Sequence, residues 1–268
     1  MDLNTVTEIV TPKNRAALPA LAAGDAVLAG GTWLFSEPQP AVTRLVDLSA
    51  LGWDELEVTE SGLRIGATCT IATLAAFDPP ASWPAARLIL PCCRALLGSF
   101  KIWNMATAGG NFCMALPAGP MAALFTALDA QCVIFPPAGE RRLAAADFIL
   151  GPQKTALAPG ELLRAIKIPA TALRRRTAFR QISLNPLGRS GALLIGTLAE
   201  DFALTVTAAT RHPIRLKFPA VPDAAALAHR LAEAIGPQDY YDDVHGQPAW
   251  RRHVTHILAE EIRRELAT

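Results

Sequence analysis

Two glycine pairs offer the most direct chemistry in this chain. Leu28-Ala29-Gly30-Gly31-Thr32 and Thr107-Ala108-Gly109-Gly110-Asn111 lie roughly eighty residues apart. Each ends in a hydroxyl or amide side chain. A Gly-Gly step admits positive φ and lets main-chain N–H groups approach a ligand with no Cβ in the way. Two such turns suit a ligand with a diphosphate in its middle and polar groups to either side, a nucleotide cofactor such as FAD. Neither turn fits G-x-G-x-x-G or G-x-x-x-x-G-K-[ST], so a Rossmann or P-loop reading has no support. Few cations lie near them in sequence. A diphosphate here would rest on backbone N–H groups and on the hydroxyls of Thr32, Ser36 and Thr107. A single Gly-Gly is more often an ordinary turn, and it is the repetition that gives the pair weight.

The other reactive side chains form no recognisable constellation. All five histidines, His212, His229, His245, His253 and His256, fall in the last quarter of the chain, away in sequence from both glycine pairs. His253 and His256 are three apart on an expected helix, but without a third ligand they read as solvated helix-face residues rather than a metal pair. Cys69, Cys92, Cys93, Cys113 and Cys132 are odd in number and never spaced C-x-x-C, which points to neither disulfides nor zinc nor an iron–sulfur cluster. They read as small buried hydrophobes in a reducing, cytoplasmic setting. The runs Arg141-Arg142 and Arg174-Arg175-Arg176 read as solvated or linker charge. Met105, Phe112 and Met114 read as packing residues, and Trp33 as core or as a flat side chain beside a cofactor ring.

With 51% hydrophobic residues in 268 and a net charge of +1, the chain can bury a large core and has no electrostatic case for nucleic acid or an anionic membrane. Its longest apolar runs are too short to insert in a bilayer, and its first residues carry no signal-peptide pattern.

Elements to position the turns follow from periodicity. The spacing predicts strands over 6–10, 26–29 and 44–48, with a helix over 13–23 between the first two. A hairpin is expected over 57–67, then helices over 70–77, 84–97 and 120–130. Strands over 131–135 and 162–168 complete a second unit. Strands over 177–183, 192–198 and 203–208 come next, then helices over 223–235 and 250–266, a sheet with two helices on one face. The expected units are 1–52, 53–173 and 174–268.

The motif order gives a family likeness. Ala29-Gly30-Gly31-Thr32, then Asn104-Met105-Ala106-Thr107-Ala108-Gly109-Gly110-Asn111, the segment from Leu150 to Leu163, and Ala178-Phe179-Arg180-Gln181 together resemble the FAD-binding medium subunits of the molybdenum hydroxylases. These are the xanthine dehydrogenase, aldehyde oxidoreductase and carbon monoxide dehydrogenase types. The ending from Tyr241-Asp242-Asp243 to Trp250-Arg251-Arg252 is similar to that family's C-terminal domain. The resemblance implies an α+β fold, in which a two-part FAD domain of the vanillyl-oxidase type precedes an antiparallel sheet with helices. It implies that Val27, Leu28, Ala29, Gly30, Gly31, Thr32, Trp33 and Leu34 wrap one side of FAD, and that Ala106, Thr107, Gly109, Gly110 and Asn111 hold the other. Leu163 matches an aliphatic residue beside the isoalloxazine, and Arg180 a basic residue near the flavin. Trp103, Pro120 and Trp33 depart from the family pattern and are expected to loosen binding. The implied function is electron transfer, with a molybdopterin-binding large subunit and a small [2Fe-2S] subunit as partners and NAD among the acceptors. A free-standing flavin oxidase of the same fold, or a non-catalytic scaffold subunit, is the alternative.

Overall fold

The computed structural model describes residues 3–268, built on three sheets. Strands β1 (Glu8–Val10), β2 (Asp25–Leu28) and β3 (Arg44–Asp47) form a small parallel sheet in the order β1-β3-β2. Alternation places Val46 of β3 in a small core with Leu48, Trp53 and Leu162. The helix expected over 13–23 does not form. Only one 3-10 turn, Arg15–Ala17, survives, capped by the Asn14 side chain. Pro19 is the reason: it lacks an N–H and drives the preceding residue out of the helical region. Leu18 is accordingly extended, at φ −63° and ψ 126°. Leu18 and Leu21 still reach the small core, from irregular chain.

The second sheet is antiparallel. The β4 (Leu56–Thr59) and β5 (Gly62–Gly66) hairpin forms as expected. It is joined by β6 (Gln131–Phe135) and β7 (Arg141–Ala144); a short ribbon of β8 (Ile149–Gly151) and β9 (Lys154–Thr155) precedes β10 (Leu162–Pro169). The order is β4-β5-β10-β6-β7. Helices α1 (Ile71–Ala75, capped by Thr70), α2 (Ile89–Arg94), α3 (Phe100–Met105), α4 (Ala108–Cys113) and α5 (Pro120–Ala127) follow the hairpin, and α6 (Ala170–Leu173) follows β10. The sequence pattern missed α3 and α4, and the helix expected over 84–97 is a 3-10 turn, Pro84–Leu88, followed by the short α2. Phe112 of α4 anchors this layer, stacking on Phe148 at 4.5 Å and meeting Phe125 of α5 edge-on at 5.2 Å.

The third sheet, β11 (Arg176–Ile182), β12 (Ala192–Leu198), β13 (Phe202–Thr207) and β14 (Ile214–Phe218), is an antiparallel meander. The fourth strand was not anticipated. Helices α7 (Ala224–Ala234) and α8 (Pro248–Ala267) cover one face, as the layer argument requires. The other face is covered by α5, so Leu193 and Ile195 of β12 join the large core while Leu194 joins the core under α8. Burial on both faces explains the unbroken apolar run of β12. Gly196 lets α8 approach: a Cβ there would lie 2.3 Å from Ile262 Cγ2. Among the described residues, no helix is long and apolar enough to cross a membrane.

Charge also joins the second and third sheets. Asp129, in the left-handed region at φ 50° just after α5, accepts two bonds from Arg215 of β14 and pairs with Arg175 at 3.2 Å. Burial pushes its carboxyl up, but the Arg215 bond and the charges of Arg215, Arg175 and Lys217 outweigh that and hold it below its ordinary value. A depressed carboxyl stabilises the fold above its unfolded-state pKa, and that contribution is lost as pH falls through the folded value. Asp129→Asn is therefore expected to cost about 1–3 kcal/mol at neutral pH and to flatten stability against pH below about pH 4. Urea unfolding at both pH values checks it, and equal losses at the two would count against the ion pair.

Candidate functional site

β2 delivers the first glycine pair. Gly31 sits at φ 69°, where a Cβ would be strained and would also strike the Phe35 ring at 2.5 Å. The chain then makes one tight turn: Phe35 N donates to Gly31 O, and Ser36 donates through both N and Oγ to Trp33 O. The main-chain N–H groups of Gly31, Thr32, Trp33 and Leu34 have no acceptor among the described residues. Four unpaired donors at the start of a turn form a concavity suited to an anion.

The second glycine pair is different. It is not a free loop but the first turn of α4, with Thr107 as its N-cap. Ala108 N donates to Cys69 O, Gly109 N to Ala67 O, Gly110 N to Thr107 Oγ1 and Asn111 N to Thr107 O. Every donor of that turn is spent inside the protein, so the expectation of bare amides holds at the first turn alone. The Thr107 hydroxyl is likewise occupied as a cap. Asn111 Oδ1 accepts from Met121 N, capping α5, whose leading Pro120 has no N–H.

Close approach is what the glycines of this region provide. A Cβ on Gly109 would lie 2.5 Å from Ala67 O, and one on Gly30 only 1.7 Å from Met105 O. A Cβ on Gly110 would point towards Ala29, 3.9 Å from its Cβ. The two turns therefore abut each other as one continuous wall, instead of gripping a ligand from opposite ends.

That wall bounds a cleft of about 750 Å³, within the range of cofactor sites. Val27, Ala29, Gly30, Gly31, Thr32, Trp33 and Leu34 line it, as do Ala106, Thr107, Gly109, Gly110, Asn111 and Leu163. Two of the residues drawn from the resemblance do not. Leu28 alternates away from its neighbours on β2, and its Cδ1 packs beneath Gly31. Arg180 is turned to α8, where it donates to Glu261 at 2.8 Å and Glu265 at 2.6 Å. A guanidinium so paired is no free cation for a flavin. Of the departures, Trp33 and Pro120 line the cleft, whereas Trp103 packs against the large core with Nε1 buried and unpartnered.

The far wall comes from the last third of the chain and had no local signal. Leu187 and Arg189 from the β11–β12 loop, with Tyr241, Asp243 and His245 from the segment before α8, close the cleft. A histidine and an arginine thus line the same cleft as the glycine turns. Cys113 also lines the cleft, but burial pushes its thiol up to about 12, so it stays protonated and is no nucleophile. The Arg141 hydrogen bond, at 2.6 Å, holds the Glu161 carboxyl at the cleft edge below its ordinary value and charged. Unpaired amides and Arg189 fit the diphosphate of FAD, and apolar lining residues such as Leu163, Leu187 and Trp33 fit its ring system.

Substitutions should separate capping from close approach. Thr107→Ala removes the α4 cap and is expected to cost about 1 kcal/mol. Gly30→Ala, which forces the two turns apart, should cost about 1–3 kcal/mol. Denaturant melts measure both, and a neutral Gly30→Ala would show that the contact between the turns is dispensable.

Comparison with known proteins points to the same cofactor class. A family model described as the FAD binding domain in molybdopterin dehydrogenase matches residues 5–171. The carbon monoxide dehydrogenase medium chain of Afipia carboxidovorans is 29% identical over 221 residues, 73% of this chain and 75% of the relative. The aldehyde oxidoreductase FAD-binding subunit PaoB of Escherichia coli is 29% identical over 220 residues, 62% of this chain and 68% of the relative. A crystal structure of Cu,Mo-CO dehydrogenase in its cyanide-inactivated form superposes with a TM-score of 0.81 at 25% identity, covering 95% of both chains. The family match extends over more than half of the sequence, through both glycine turns, and the chain belongs to the FAD-binding domain family of the molybdopterin dehydrogenases.

Proposed function

We propose that this chain is the FAD-carrying electron-transfer subunit of a molybdenum hydroxylase-type complex. Electrons would come from [2Fe-2S] clusters on a small partner subunit, after substrate is oxidised at a molybdopterin centre on a large one, and leave to NAD or another acceptor. The observation that supports this most is the cleft itself, lined by residues 31–34 with their unpaired amides and by Arg189. When bound, a flavin supplies exchange between one-electron and two-electron transfer. This chain's residues do the holding. The amides of Gly31, Thr32, Trp33 and Leu34 would receive the diphosphate, with Arg189 adding charge. Leu163 and Trp33 would pack on flat surfaces and exclude water. Among the relatives, one is named a carbon monoxide dehydrogenase medium chain and another an aldehyde oxidoreductase FAD-binding subunit, which supports a subunit role for this chain.

A second reading, the free-standing flavin oxidase, gains from His245, whose imidazole lines the same cleft and is the kind of side chain that such chemistry needs. Titrating FAD into the purified chain tests the shared premise. Stoichiometric uptake with quenched flavin fluorescence is expected, and a well-folded sample that stays colourless in excess FAD would sink both readings. Arg189→Ala is expected to weaken FAD about tenfold. Turnover of alcohols or amines by the isolated chain would favour the oxidase, whereas copurifying large and small chains would favour the complex.

A further inference from the structure

Arg251 lies in the first turn of α8 and is 1% exposed. Burying a cation costs several kcal/mol unless its donors are met, and an apolar residue would pack a helix face more cheaply. Its partners explain its presence. Nε donates to Gly246 O at 2.8 Å, one terminal nitrogen to Gly191 O at 2.7 Å and Ala208 O at 2.5 Å, and the other to the Asp243 carboxylate. None of these acceptors belongs to α8. Gly191, Asp243 and Gly246 instead stand at the foot of segments that wall the cleft, and Ala208 follows β13 beside them.

Gly191 closes the loop carrying Leu187 and Arg189, its own N–H donating across the loop base to Ile182 O at 2.8 Å. Asp243 and Gly246 bracket His245, whose N–H donates to Asp243 Oδ1 at 2.8 Å. Ala208, in the left-handed region at φ 62°, donates to Pro117 O at 2.9 Å, and Pro117 belongs to the opposite wall. Tyr241 N is held by Ala209 O at 2.9 Å. Trp250 wedges between the two loop bases: a Cβ on Gly191 or Gly246 would lie 2.3 or 2.7 Å from its indole. One planar guanidinium therefore ties the bases of two wall segments to the end of β13 at a single point, which a Lys ammonium, shorter in span and without the planar fork, could not reproduce.

We propose that Arg251 is a positioning residue of the cofactor cleft, acting through Asp243 and Gly191 to set where Arg189, Tyr241 and His245 stand against bound FAD. The proposal rests on the FAD reading above. FAD uptake by the unsubstituted chain is measured first, so failure of that reading shows before any variant is made. Arg251→Lys and Asp243→Asn are then compared in the full chain for melting temperature, FAD dissociation constant, flavin midpoint potential and bound-flavin absorption spectrum. Arg251→Lys is expected to melt lower, to bind FAD about tenfold more weakly and to shift both potential and spectrum. Asp243→Asn, which leaves the three carbonyl bonds in place, should shift the same readouts less. If Arg251→Lys does not fold, Asp243→Asn decides. Variants that melt lower but bind FAD within about twofold, with potential and spectrum unchanged, would reduce Arg251 to a staple of the fold and overturn the proposal.

Discussion

The contact between Gly30 and the Met105 carbonyl governs how the rest of the site can be built. One turn ends a strand of the small parallel sheet, and the other begins α4 over the second sheet. They meet because Gly30 carries no Cβ where its backbone reaches Met105 and Ala106. That meeting makes one wall out of two units and leaves the amides of the first turn facing open space. Any side chain at Gly30 would separate the units and widen the floor of the cleft.

The two glycine pairs look alike in sequence and do different work. At the first, the amides are free and the conformation is left-handed, so glycine serves exposure of donors. At the second, the amides are bonded to Cys69, Ala67 and Thr107, so glycine serves packing of α4 against β5. A short motif of this kind constrains what the backbone can do without saying which use is made of it. The division also assigns the electrostatics: the first turn and Arg189 would meet negative charge, and the second turn would meet van der Waals surface.

The third sheet has two roles that its own sequence does not separate. Its inner face, through Leu193 and Ile195, completes the large core, while Asp129 with Arg215 and Arg175 ties the same layers by charge. Its loops then project beyond that core and become the far wall of the cleft. Arg251 reconciles these roles, since a helix that covers the outer face also reaches the bases of both loops. Stability and site geometry share that residue.

Much of the architecture was legible along the chain. Alternating or continuous apolar runs marked the strands of the three sheets except β7 and β14, the β8–β9 ribbon left no such mark, and the helices expected from Thr70 and Asp223 do start there, each capped by that residue's side chain. Where a local rule competed with periodicity, the local rule prevailed: Pro19 cancelled a helix that the leucine spacing had suggested. Most of the near wall was legible too, because its residues are consecutive in two short segments. The far wall was not. Leu187, Arg189, Tyr241 and His245 enter the cleft only through pairing of β11 with β12 and docking of α8, contacts between residues distant in sequence. Arg180 shows the same limit from the other side, since the family resemblance implied a place near the flavin while the packing of α8 supplied Glu261 and Glu265 instead. Sequence fixes what each short segment can offer, through φ freedom, caps and alternation. Which offers face the same space depends on long-range packing, and only the folded chain decides that.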